Sequence, residues 1–235
     1  METTHGPLCE VRTTVSGVPL RLATLGGDPR AVEDARRRAA ELSASWDPSW
    51  RGSDLRRLAS RPGVVVGVAP ETVLLVALAT SGDTRGEVVT DSRRCLAGVQ
   101  PRHLPAVLAI RGAVLADLLI ADLTASGPAG ALADVGGDVR VAGACPEPGG
   151  WSLDVAGPSG ERVRLAHGAV AHAEADAWGV FVVGEYAWEA KRLAGAVLAG
   201  KPRDAVRRLR AAGCAGLLVA RGTAVAVGRR PALTA

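Results

Sequence analysis

Residues 127–143, GPAGALADVGGDVRVAG, constrain what this chain can fold into more than any other stretch. An apolar run at 131–135 meets Gly136, Gly137 and Asp138, and a second apolar run follows at 139–142. That pattern predicts two buried strands joined by a tight turn. Glycine is required where the backbone takes a positive φ or approaches another group closely. Asp138 stands at the lip of the turn, where a carboxylate either caps backbone N–H groups or binds a hydroxyl-bearing ligand. Both roles stay open on the residues alone, and turn stabilisation is the commoner one.

The flanking sequence reads as hairpins with helices grouped between them. Residues 11–15 and 18–25 predict a hairpin about Ser16 and Gly17. Asp28 and Pro29 then open an amphipathic helix over 30–45, with the acid as N-cap and Ala31, Val32, Ala35, Ala39 and Leu42 on its inner face. Trp46 and Trp50 fall in a Pro- and Gly-containing loop, where they either plug the core or offer a planar ligand a stacking surface. Ser53 or Asp54 caps a short helix that runs to Leu58. A strand is expected at 64–68, then a helix from Pro70 to Leu78 with Gly82 as its C-cap, and a polar surface loop over 83–103. A short inner strand at 107–110 and a helix at 112–125 lead into the central hairpin. Beyond it come strands at 151–156 and 163–165, a buried strand at 179–183, two helices between 188 and 209, and a closing hairpin over 217–227. Hairpin-paired strands with grouped helices predict an α+β class, with mostly antiparallel sheets and packed helices, in one domain spanning 1–235.

Composition narrows the function. Hydrophobic residues make up 48% of 235 positions and charged ones 22%, so a globular protein is expected, with no apolar stretch approaching a membrane span and no membrane association. METTHGPLCE lacks a basic start followed by an apolar run, and the expected location is cytoplasmic. Cys9, Cys95, Cys145 and Cys214 form no CxxC pair, which argues against a zinc or dithiol site. A net charge of +4 suggests nucleic acid at first. The arginines, however, run along helices beside acids, and one Tyr and one Phe are too few to stack bases, so no nucleic-acid partner is expected. The residues leave the oligomeric state open.

Taken in order, several segments resemble the FAD:protein FMN transferases of the ApbE type. LSASWDPSWRGSDLRRL is similar to that family's Leu-Ser, aromatic, Pro, Ser-acid-Leu stretch, and ATSG, ending on Ser81 and Gly82, to its A-T-G-G loop. Asp117 matches an Asp in the helix after the family's D-L-G-G-I-A-K-G segment. ALADVGGDVRVAGACPEPGGWSLDV resembles its A-L-V-N-x-G-G-D-I-R run and following Trp strand, and GAVAHA, carrying Ala171 and His172, stands at its A-V-A-T-S-G. The resemblance implies a two-lobed, T-fold-like architecture with flavin in a cleft beside the GGD turn. The flavin-contacting residues it implies are Gly136, Gly137, Asp138, Asp117, Ser81, Gly82, Ala171 and His172. Members of the family cleave FAD and attach FMN through its phosphate to a Thr or Ser of a partner protein, assisted by a divalent metal. FAD and a flavin-acceptor protein are thus the implied ligand and partner.

The departures from that pattern fall on chemistry-bearing positions. Ala106 and Gly112 stand at the family's Asp and Lys, and no counterpart of its H-I-I-D-P-x-T-G occurs. In its metal-binding A-D-A-L-A-T, Lys191 replaces the carboxylate and Gly195 the hydroxyl. A lysine there inverts the charge, so either its ammonium serves as the cation or no metal is held, and magnesium is not an expected ligand. Three readings follow: a divergent transferase, a flavin-binding module without catalysis, and a partner subunit of the same fold. Independently of the resemblance, a strand over 171–176 would put His172, Glu174 and Asp176 on one face. That face is either a rebuilt metal or acid–base cluster or a polar edge turned to solvent.

Overall fold

The computed structural model describes residues 6–81, 88–154, 162–175, 178–220 and 223–228. Strands β1 (Leu8–Val15) and β2 (Val18–Leu25) pair antiparallel about Ser16 and Gly17. Asp28 then caps α1 (Pro29–Ser45) by accepting from the Arg30 amide at 2.9 Å, and Pro29 fills the first turn. Val32, Ala35, Ala39 and Leu42 recur at helical spacing and form its buried face. Ser53 caps α2 (Asp54–Ser60), its hydroxyl accepting from the Arg56 amide. The chain continues through β3 (Val66–Gly67), α3 (Pro70–Thr80), β4 (Val89–Asp91), β5 (Leu96–Gly98), a 3-10 turn at Pro101–His103 and α4 (Leu104–Ala125). Three hairpins follow: β6 (Gly130–Val135) with β7 (Asp138–Gly143), β8 (Trp151–Asp154) with β9 (Arg162–Leu165), and β10 (Gly168–Ala175) with β11 (Trp178–Gly184). Last come α5 (Ala187–Leu198), α6 (Pro202–Ala211), β12 (Ala215–Ala220) and β13 (Thr223–Val227).

Eight strands form one antiparallel sheet in the order β1-β2-β6-β7-β10-β11-β12-β13. Strand alternation sorts its side chains onto two faces. On one face Leu22, Ala131, Ala133 and Ala169 pack with α1 to α4, while Ala171, Val180 and Val182 pack with α5 and α6. On the other, Leu132, Val141, Val170 and Phe181 meet Trp151, Leu153 and Leu165 of the β8–β9 hairpin. Helices therefore cover one face in two groups, which touch where α4 meets α5. This is the expected α+β class, with antiparallel sheets and packed helices.

The structure corrects the sequence reading at four places. Residues 107–110 are not a strand but part of α4, whose first turn holds Pro105; the run VLAI suits either periodicity, and burial within a 22-residue helix decides it. The expected loop contains two strands, since β5 pairs with β3 on one side and β4 on the other in a small three-stranded sheet; residues 83–87 lie outside the described residues. Of residues 64–68 only Val66 and Gly67 pair, and Val64 and Val65 are exposed. Finally, one apolar stretch does reach the length of a membrane span: Pro101–Ala125, with a mean hydropathy of 2.0. Its apolarity is accounted for by nine α4 side chains buried in the core.

The tryptophans divide. Trp46 and Trp151 are buried, whereas Trp50 is 54% exposed. Helix α3 takes Ser81 as its C-cap. Gly82, the expected strand residues Val155 and Ala156, Asp176, and the turn residues Arg221 and Gly222 lie outside the described residues.

Candidate functional site

The site is built from the tip of the β6–β7 hairpin outward. Gly136 and Gly137 have φ of 61° and 86°, the left-handed region that glycine enters without steric cost. A Cβ on Gly137 would also lie 2.9 Å from the His172 ring. The carboxylate that caps this turn is Asp134, whose Oδ1 accepts from the Gly137 amide at 2.8 Å. Asp138 is therefore spent elsewhere.

Asp138 opens β7 and, with Arg140 two residues on, faces the helices. It is only 4% exposed. Its Oδ1 accepts from Lys191 Nζ of α5 at 3.0 Å, and the same ammonium donates to the His172 carbonyl at 2.7 Å. Burial pushes the Asp138 carboxyl up, and the Lys191 charge opposes it. Gly112 on α4 leaves the room this requires, for a Cβ there would sit 3.1 Å from Asp138 Oδ2. The His172 ring stacks on Phe181 at 5.6 Å, with Nδ1 4.0 Å from Asp138 Oδ1.

Asp117 on α4 holds the start of α5. Its two oxygens accept from the Ala187 and Trp188 amides, both at 3.0 Å, and Arg140 Nε lies 3.5 Å away. The first N–H groups of a helix lack intrahelical partners, and Tyr186 at the N-cap contributes no side-chain bond, so a carboxylate from a neighbouring helix does the capping. Burial pushes the Asp117 carboxyl up to about 6, against those bonds. An acid whose folded pKa is raised removes stability as pH climbs from its unfolded to its folded value. Asp117→Asn cannot ionise, so its deficit relative to wild type should be smaller at pH 7 than at pH 4, by about 2 kcal/mol. Urea unfolding at both pH values checks this, and equal deficits would refute it.

Helix α5 carries Trp188, Lys191, Arg192 and Gly195 on one side, at i, i+3, i+4 and i+7 spacing. Together with Ala79 at the end of α3 and Ala106, Ala109 and Ile110 on α4, they line a cleft of about 620 Å³. That volume falls within the range of small-molecule sites. Arg192 lies 5.6 Å over the Trp188 ring and donates to Ser81 Oγ, so its guanidinium is held at the rim. The α5 wall carries two cations, Lys191 and Arg192, and one carboxylate, Glu189, and the floor on α4 is apolar.

Of the residues singled out from sequence, Asp138 and the His172 carbonyl meet at Lys191 beside the Gly136-Gly137 turn, and Ser81 joins the cleft rim through Arg192. Asp117 acts on the cleft through α5. Ala171 is fully buried between the sheet and α5. Glu174 is exposed, and among the described residues no three His, Cys, Asp or Glu side chains are grouped to hold a metal ion. Arg192 was not foreseen as a site residue, although its i+4 spacing from Trp188 was the available signal.

No protein-family profile matches the sequence, and no curated protein does. Solved structures do match. The ApbE protein of Thermotoga maritima is 17% identical, with 94% of this chain and 97% of that one covered and a TM-score of 0.75. A variant of the flavin transferase ApbE from Vibrio cholerae is 14% identical over 94% and 97%, with a TM-score of 0.76. The apo flavinyl transferase ApbE of Pseudomonas stutzeri is 15% identical over 97% of each chain, with a TM-score of 0.69. At such identities the likeness is one of fold, and it extends over nearly all of each chain. This chain has the ApbE-type flavin-transferase fold, in a form far diverged in sequence.

Proposed function

We propose that this chain is a divergent FAD:protein FMN transferase-type protein that takes FAD into the cleft between α3, α4 and α5. The observation that carries the reading is the cleft's make-up: about 620 Å³, an apolar floor, and an α5 wall on which the cations Lys191 and Arg192 outnumber the one carboxylate, Glu189, with Lys191 bonded to Asp138 of the GGD turn. Those cations suit the pyrophosphate, and the Trp188 ring with the α4 alanines suits the flat apolar parts of the ligand. Solved proteins of this fold named as flavin transferases support the choice of ligand. Transfer would form a bond from an acceptor Thr or Ser oxygen of a partner protein to the FMN phosphorus, break the pyrophosphate and release AMP. A second reading, a flavin-binding module without catalysis, is favoured by Lys191, since its ammonium and Gly195 do not fit a divalent ion at that place.

Titration with FAD, followed by absorbance and flavin fluorescence, should give saturable one-site binding, weakened at least about tenfold by Arg192→Ala. FAD that leaves both signals unchanged would remove the reading. Incubation with FAD, magnesium and a threonine-bearing acceptor peptide then separates the two forms. Covalent flavin on the peptide supports the transferase, and bound but untransferred flavin supports the module.

A further inference from the structure

We infer that Lys191 is a resident monocation that keeps divalent metal out of the cleft and presents its remaining N–H to an anionic ligand. A carboxylate oxygen and a backbone carbonyl oxygen converging on one point are the donors a hard divalent ion takes. Here Asp138 Oδ1 and the His172 carbonyl converge on Lys191 Nζ, at 3.0 and 2.7 Å. The ammonium thus sits where such an ion would have to sit. An ion entering beside it would meet a like charge in a half-enclosed place, and Gly195, one turn further along α5, adds no oxygen ligand. Arg192 adds a second positive charge on the same wall, so the two cations outnumber the single lining carboxylate there, Glu189.

An ammonium has three donors. Among the described residues Lys191 makes two hydrogen bonds, both to groups behind the cleft wall, and its side chain is 18% exposed on the cleft side. The third donor is available to a phosphoryl or carboxylate oxygen. The part of the inference that concerns the ligand rests on the proposed function, whereas the exclusion of metal does not.

The test begins with Mn²⁺ alone, titrated into the full chain and followed by electron paramagnetic resonance. Wild type should show no saturable site, whereas Lys191→Ala, which vacates the two oxygens, and Lys191→Asp, which adds a third, should gain one at least about tenfold tighter than any residual wild-type binding. Saturable Mn²⁺ binding by wild type that Asp138→Asn abolishes would overturn the inference. So would folded variants that gain no site, because Lys191 would then not be what excludes the ion. If neither variant folds, wild-type FAD affinity in EDTA against magnesium decides: equal values support the inference, and a tenfold gain with magnesium overturns it. A chain that ignores FAD but gains Mn²⁺ on loss of Lys191 would remove the flavin reading and leave the metal exclusion standing.

Discussion

Lys191→Met is expected to lower the unfolding free energy by about 3 kcal/mol at neutral pH, because it strands the buried Asp138 carboxylate without its counter-charge. The loss should depend on pH with a definite sign. Burial already pushes the Asp138 carboxyl up, and removing the ammonium takes away the main opposing influence. The folded pKa then lies further above the unfolded one, so the deficit grows as pH rises through that interval and shrinks on acidification, when the carboxyl takes a proton. Adding Asp138→Asn to the same chain should return most of the loss, since the position no longer carries a charge. Urea unfolding of the single and double variants at pH 5 and pH 7 tests all three statements. A pH-independent loss without rescue would mean that Lys191 contributes through packing alone.

Trp46→Ala is expected to cost about 3–5 kcal/mol, the range for truncating a large buried aromatic side chain. Trp46 is 2% exposed and does more than fill space. Its Nε1–H donates to Thr72 Oγ1 at 3.0 Å, the Thr72 hydroxyl donates to Asp54 Oδ2 at 2.7 Å, and the same oxygen accepts from the Ala69 amide at 2.7 Å. Burial works to raise the Asp54 carboxyl, yet the Ala69 amide, the Thr72 hydroxyl and Arg57 hold it below its ordinary value. Trp46 thereby anchors a relay joining α2 to the start of α3. Trp46→Phe, which keeps most of the volume but not the donor, should cost about 1 kcal/mol. Thermal and urea unfolding of the two variants measure the gap; near-equal losses would show that the hydrogen bond, not the packing, carries the site.

What could be read from sequence depended on whether the deciding signal was local. The β6–β7 turn and the start of α1 were legible because Gly136, Gly137, Asp28 and Pro29 act within a few residues of themselves. The first half of α4 was not, since VLAI has no period and Pro105 is the only local cue to a helix. Strands β4 and β5, three residues each, are shorter than any window in which alternation can be seen. Trp46 and Trp50 sit in the same polar loop, and the packing of α1 on α4, with the Trp46 ring bonded to Thr72 of α3, separates the buried ring from the exposed one. The site shows the same limit. Sequence could nominate Asp138 and Lys191 separately, but they are 53 positions apart, and their pairing exists only because α5 crosses the sheet beside β7. Asp117 stands out in the sequence only by its place in a resemblance, whereas its grip on two α5 amides follows from the meeting of α4 with α5.

That grip has a mechanical consequence. Helix α5 is fastened at its first turn by Asp117 and again one turn on by Asp138, so it cannot roll about its long axis without releasing charge-assisted bonds at both points. The two positive groups it displays behave as teeth on a rigid jaw rather than as loose tethers. Selection among visiting molecules should then be governed by their outline and the spacing of their negative charges, with little adjustment by the host.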